Sequence, residues 1–143
     1  MRIIFWDIKT TPADITYSKT IEIPEAFIRL REDGIAHVTF KDGITIDIPL
    51  QLRLIEAYNQ VCDNKKTPFL FDAKDHVSIT KEAKNNAITI EGLSPVCASA
   101  IIANNLAYKL IAEFYIKLNK PKSPFKIFRN HDDAFEWLKQ FRK

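Results

Sequence analysis

Between residues 44 and 71 the chain changes period twice, and that double change constrains the fold more than any other feature. Ile44, Ile46 and Ile48 alternate with Thr45 and Asp47, the two-residue period of a half-buried strand. Pro49 then opens a segment in which Leu50, Leu54, Ala57, Tyr58 and Val61 recur at helical spacing, with Arg53, Glu56 and Gln60 opposite. Proline is harmless there, because the N–H it lacks has no intrahelical partner in a first turn. After Pro68 the short apolar run Phe69 to Phe71 reads as an interior strand. Strand, helix and strand in that order imply a crossover, so the flanking strands run parallel.

Upstream, Asp33-Gly34 and Asp42-Gly43 are two turn signals enclosing a run in which Ala36, Val38 and Phe40 share one face, which predicts a β-meander. Downstream, helix and strand keep alternating. Thr80 caps a helix with Ala83, Ala87 and Ile90 on a narrow stripe, and Gly92 with Leu93 reads as its glycine C-cap. "PVCASAIIA" is a second continuous apolar strand, small enough in its side chains for a helix to lie close against it.

A long helix is predicted from Asn104 or Asn105 to about Lys120, where Pro121 ends it. Its stripe of Ala103, Ala107, Leu110, Ile111, Phe114 and Leu118 should face the sheet, and Asn105, Lys109, Glu113 and Lys117 form its polar line. "PFKIF" is the last strand. Asn130 caps a final helix with Asp132 and Asp133 in its first turn and Ala134, Trp137, Leu138 and Phe141 as its buried stripe. The expected architecture is a single mixed α/β domain over residues 25–142: a mixed sheet, an N-terminal meander and about four helices mainly on one face. Residues 1–24 are expected as an extension packing on it.

Several function classes fall away on composition. A net charge of +3, from 21 basic and 18 acidic residues, is too mild to imply nucleic acid. The 3 glycines are each assigned to a turn or cap, so no glycine-rich loop is left to cradle a phosphate. No apolar run approaches the ~20 residues of a membrane-spanning helix, and "MRIIFWDIK" is broken by Asp7 too early for a secretory signal. Cys62 and Cys97 stand singly without ligand spacing and read as reduced core residues of a cytoplasmic protein.

The order of the meander, the proline-started helix, the "PFLFD" strand, the "SITKEA" turn, the "CASAIIA" strand, the long helix and the "KPKSPFKIFRNHDDAFEWL" ending resembles the SpoIIAA-like domains. These are relatives of the STAS domain and more distantly of SEC14-type lipid-binding domains; the likeness is greatest to a bacterial branch. It implies a non-enzymatic regulatory or protein-interaction domain with an unknown protein partner. The best-known STAS domains are switched by phosphorylation of a serine in an Asp-Ser-Ser-Gly turn. Here Thr80, Lys81, Glu82 and Ala83 occupy that turn, so the serine is absent and Glu82 stands in its place.

Asp72 ends the "PFLFD" strand, at the edge where open α/β sheets hold ligands. With Asp75 and His76 just beyond it, and Ser78, Thr80 and Glu82 in the following turn, it marks a candidate ligand or regulatory turn. His37 lies in a strand and His131 at a helix start, without ligand spacing, so neither metal, cofactor nor catalytic centre is expected. Lys117, Lys120, Lys122, Lys126 and Arg129 form a basic cluster that reads as a solvated loop. On the long helix Tyr108, Ala112 and Tyr115 make a further apolar stripe, a candidate interface for a homodimer or for residues 1–24. Three classes of function follow in order: an interaction domain, a binder of a lipid or other apolar small molecule, and an enzyme using Asp72 and Asp75.

Overall fold

A computed structural model describes residues 2–4, 16–73, 77–103, 109–110, 113 and 122–142 of the 143. Within them the strands are β1 (Arg2–Ile4), β2 (Tyr17–Ile23), β3 (Ala26–Arg31), β4 (Ala36–Phe40), β5 (Thr45–Ile46), β6 (Thr67–Asp72), β7 (Ser78–Ile79), β8 (Val96–Ile102) and β9 (Phe125–Phe128). The described α-helices are α1 (Ile48–Val61), α2 (Lys81–Ile90) and α3 (His131–Leu138). Seven strands form a mixed sheet in the order β1-β2-β3-β4-β6-β8-β9. The first four pair antiparallel, and β4, β6, β8 and β9 pair parallel. A parallel crossover over α1 is present, but its first strand is β4 and not the 44–48 segment expected from the double change of period.

The meander is shifted towards the N-terminus. Residues 1–24, expected as an extension, supply β1 and β2 to the sheet. Gly34 makes the β3–β4 turn at φ +90°, a conformation that costs glycine nothing and strains other residues. After the second turn, with Gly43 at φ +75°, the chain does not return beside β4. The expected strand over 44–48 shrinks to Thr45–Ile46, which pairs parallel with β7 in a separate two-stranded sheet.

Ile48 is helical because Asp47 starts α1 one residue earlier than proline alone suggests. Its carboxylate accepts the Leu50 N–H at 2.9 Å, with Pro49 in the first turn. We expect Asp47→Ala to lower unfolding free energy by about 1 kcal/mol, the usual contribution of such a cap. Urea denaturation with an unaltered m-value reads this out, and an unmoved midpoint would refute it.

Two cores lie on opposite faces of the sheet. On one, Leu50, Leu54, Ala57, Tyr58 and Val61 of α1 pack on Ile21, Ile28, Val38 and Phe69. On the other, Ala134, Phe135 and Leu138 of α3 pack on Ile35, Leu70, Ala98, Ala100 and Ile102. Adjacent residues of a strand point to opposite faces, so Phe69 and Leu70 divide the two cores between them. The gathering of helices on one face holds for α1 and α2, whose tie is the Gln51 side-chain N–H donating to the Ala83 carbonyl at 2.8 Å. The terminal helix crosses to the other face, where the alanines of β8 let it approach.

The terminal stripe is also offset. Phe135 is buried, whereas Trp137 and Phe141 are half-buried and pack on each other and on Phe128. The face of α3 that meets the alanines of β8 carries Ala134, Phe135 and Leu138, which leaves Trp137 at its edge, and Phe141 follows in the 3-10 continuation over Lys139–Phe141. Gly92 is not a left-handed cap either: α2 passes into a 3-10 turn over Glu91–Leu93, and no positive φ is needed. Leu110, expected against the sheet, is 55% exposed. Ala103 is buried, and Lys109 and Glu113 of the polar line pair at 3.9 Å; the other positions of the long-helix expectation, including Tyr108, Ala112 and Tyr115, lie outside the described residues.

Candidate functional site

Alternation along β4 sends Ala36, Val38 and Phe40 into the α1 core and leaves His37 on the opposite face. Asp72, two residues beyond Leu70, projects on that same face from the carboxyl end of β6, and the parallel register sets it beside Thr39. His131 is the first residue of α3. Asn130 fixes that helix start by accepting the Asp133 N–H at 2.8 Å, which holds the imidazole over the end of β6.

The three side chains converge. His131 Nε2 lies 2.6 Å from Asp72 Oδ2, and His37 Nε2 lies 3.7 Å from the same oxygen. His37 Nδ1 meets the Tyr17 hydroxyl at 3.2 Å. Phe135 forms an apolar wall, its ring 5.6 Å from that of His37 and 6.5 Å from that of His131. Exposure grades outward, from 12% for the His37 side chain through 22% for Asp72 to 44% for His131.

Burial holds the His37 imidazole below its ordinary value against the opposing pull of Asp72. For Asp72 burial pushes upward, but the hydrogen bond from His131 and the close approach of both imidazoles outweigh it, so the carboxyl stays well below the usual range. The Asp72 carboxylate raises His131. The arrangement is a carboxylate shared by two imidazoles, able to hold a proton or a cation between them.

Sequence reasoning reached Asp72 and passed over both histidines, because it sought ligands spaced within one segment. The signal was phase: His37 is out of step with the buried Ala36, Val38 and Phe40. Asp75 and His76 lie outside the described residues. Ser78 belongs to β7, where its hydroxyl meets that of Thr45 at 3.1 Å. Thr80 caps α2 by accepting the Ala83 N–H at 3.1 Å, and Glu82 is exposed in the first turn. The expected turn is therefore structural at Ser78 and Thr80 and on the other face of the molecule from Asp72. Cys62 is buried, which pushes its thiol up to about 11, and Cys97 is half-buried with its thiol donating to the Phe141 carbonyl at 3.8 Å; the two are not joined in a disulfide.

A cavity of about 510 Å³ opens between α1, α2 and the sheet, on the face away from the histidines. Leu54, Tyr58, Phe71, Ala87, Ile101 and Phe125 are among its walls, and Lys84 is the cation among the described residues that line it. Glu91, also at its edge, is engaged by the backbone N–H groups of Lys122 and Ser123 at 3.2 and 2.9 Å and by the Ser123 hydroxyl at 3.0 Å. Those bonds tie the segment before β9 to the end of α2. They also hold part of the expected basic cluster, Lys122, against the domain.

The family model described as Domain of unknown function (DUF7793) matches residues 28–142. Among solved structures, an uncharacterized protein of the DUF3478 family with a SpoIIAA-like fold, from Shewanella loihica PV-4, is similar with a TM-score of 0.53 at 12% identity. That match covers 87% of this chain and 93% of the other, and it bears out the SpoIIAA-like fold. A protein of unknown function from Arthrobacter sp. FB24 aligns at 25% identity over 78% of this chain and 96% of its own, with a TM-score of 0.30. No curated protein matches the sequence. No helix among the described residues is long and apolar enough to cross a membrane.

Proposed function

This chain belongs to the DUF7793 family, and we propose that it is a non-catalytic binding domain whose ligand is an acyl chain with an anionic head. The observation that carries this is the cavity. Its volume of about 510 Å³ falls in the range of small-molecule sites, ~300–1,000 Å³. Most of its walls are aliphatic and aromatic, and Gln51, Ser78 and Ser94 among its polar lining already hold hydrogen bonds within the domain, so an acyl chain entering it leaves water without stranding those groups. The charge of Glu91 is taken up by the amides of 122 and 123, which leaves Lys84 to meet a carboxylate at the rim.

Titration with a fluorescent fatty acid, together with native mass spectrometry of the protein as purified, tests the reading. We expect saturable one-to-one binding, weakened at least ~10-fold, or about 1.4 kcal/mol, by Ala87→Trp, which fills the cavity from α2. The melting temperature should hold or rise, since the indole occupies existing space. No saturable binding of decanoate through stearate up to ~100 μM, well above a micromolar Kd, would sink the proposal.

The second reading is the docking module that the SpoIIAA-like likeness implies. It is favoured by the exposed Glu82 in the first turn of α2, a fixed negative charge where STAS domains carry a phosphorylatable serine. A protein partner captured by the wild type and lost on Glu82→Lys, with acyl binding absent, would favour it over the first.

A further inference from the structure

We propose that His37, Asp72 and His131 form a binding site for a divalent transition-metal ion of the zinc class, on the face opposite the acyl cavity and independent of it. The donor atoms come from three elements, β4, the end of β6 and the start of α3, and all lie within 4.8 Å of one another. Two imidazoles and one carboxylate are a donor set that such ions favour over calcium or magnesium, which take oxygen ligands.

The distances fit. Ligands at ~2.1 Å from a tetrahedral ion stand ~3.4 Å apart. The observed 2.6 and 3.7 Å to the Asp72 oxygen bracket that spacing, so an ion enters with side-chain movements of less than about 1 Å. Hydrogen bonding points the same way. His37 Nε2 is buried and has no hydrogen-bond partner among the described residues, and it faces the carboxylate from beyond hydrogen-bonding range. Burying such a nitrogen unsatisfied is costly, and a metal ion is a partner that reaches it and the carboxylate together.

The outer contacts are those of a ligand set. Tyr17 meets His37 Nδ1 at 3.2 Å, which fixes the ring and, when Nδ1–H donates to the phenolic oxygen, presents the Nε2 lone pair inward. Tyr17 is thus a positioning residue. Phe135 closes one side with an apolar surface, and the 44% exposure of the His131 side chain leaves the opposite side open to solvent. That opening gives the ion a way in and coordination positions for water or an exogenous ligand. Asp72 couples the two histidines into one site, which neither imidazole makes alone.

The test uses the full chain stripped with chelator and then titrated with Zn²⁺ by calorimetry and with Co²⁺ by visible absorption. One equivalent of Zn²⁺ should bind, and Co²⁺ should develop the d–d bands of a low-coordinate nitrogen and oxygen site. His131→Ala, at a half-exposed helix start, is expected to fold as wild type and to weaken Zn²⁺ by more than about 100-fold. Tyr17→Phe should weaken it by about 10-fold, the scale on which partners of metal ligands act. Circular dichroism confirms that each variant is folded, and if His131→Ala is not, His131→Gln takes its place. Absence of stoichiometric Zn²⁺ binding in wild type would overturn the site. So would undiminished Zn²⁺ or Co²⁺ binding in a folded His131 variant.

Discussion

Replacing Phe69 by alanine should lower the unfolding free energy by about 3–5 kcal/mol, the cost of emptying an aromatic core position. In a chain of this size the melting temperature should fall on the order of 10 °C. Phe69 is fully buried at the centre of β6, stacked on Phe71 at 5.7 Å and against Tyr58 of α1 at 4.9 Å between ring centres. The space it leaves is walled by α1, whose position is fixed by its cap and by the sheet, so collapse into the void is limited. Urea denaturation followed by circular dichroism gives the number. A loss under about 1 kcal/mol would mean that this core repacks freely, contrary to the dense packing of protein interiors.

Leu138→Ala should cost about 2–5 kcal/mol, and Trp137→Ala distinctly less, about 1–2 kcal/mol, although tryptophan is the larger side chain. Leu138 is fully buried between α3 and the alanines of β8, while Trp137 lies half-exposed over Phe128 and Phe141. Side-by-side denaturation of the two variants decides the order. Equal losses, or a greater loss for Trp137→Ala, would show that the terminal helix docks on its tryptophan.

That pair also shows where the sequence was legible. Among the described residues, the alternation of helix and strand after Asp33 and the caps at Thr80 and Asn130 could be read directly, because caps and periodicity are local. So could a parallel crossover over α1, but not that β4 rather than residues 44–48 would be its first strand. The rotation of α3 could not, since Phe135, Trp137 and Leu138 fit more than one helical stripe and the choice is made by the alanine-lined surface of β8. Strand pairing after Gly43 was likewise decided at a distance: Ile46 finds its partner in Ile79, thirty-three residues on. The position beside β4 goes to β6.

The candidate site was half legible for a related reason. Asp72 stands at a strand end, where a single sequence is informative, but its partners His37 and His131 are 35 and 59 residues away and meet it only through the sheet. The phase of β4 assigns His37 to a face without saying what covers that face. The cavity was not legible, because the apolar residues of α1 and α2 that line it read as filled core.

The outer strand gives the basic residues near the C-terminus a physical meaning. Among the described strands β9 closes the sheet order, so its far side has no described strand beside it. A row of unpaired amides and carbonyls invites another chain to extend the sheet. β9 is only four residues long, is preceded by Pro124, and carries an exposed lysine, Lys126, at its second position, with Arg129 exposed just past its end. Another copy approaching that edge in register would bring lysine against lysine and would have to strip water from both. Charge at the outer strand, with the Lys126 ammonium over the Phe128 ring at 5.4 Å and Arg129 just past the end, thus acts against polymerisation, keeping each sheet from growing into its neighbour's.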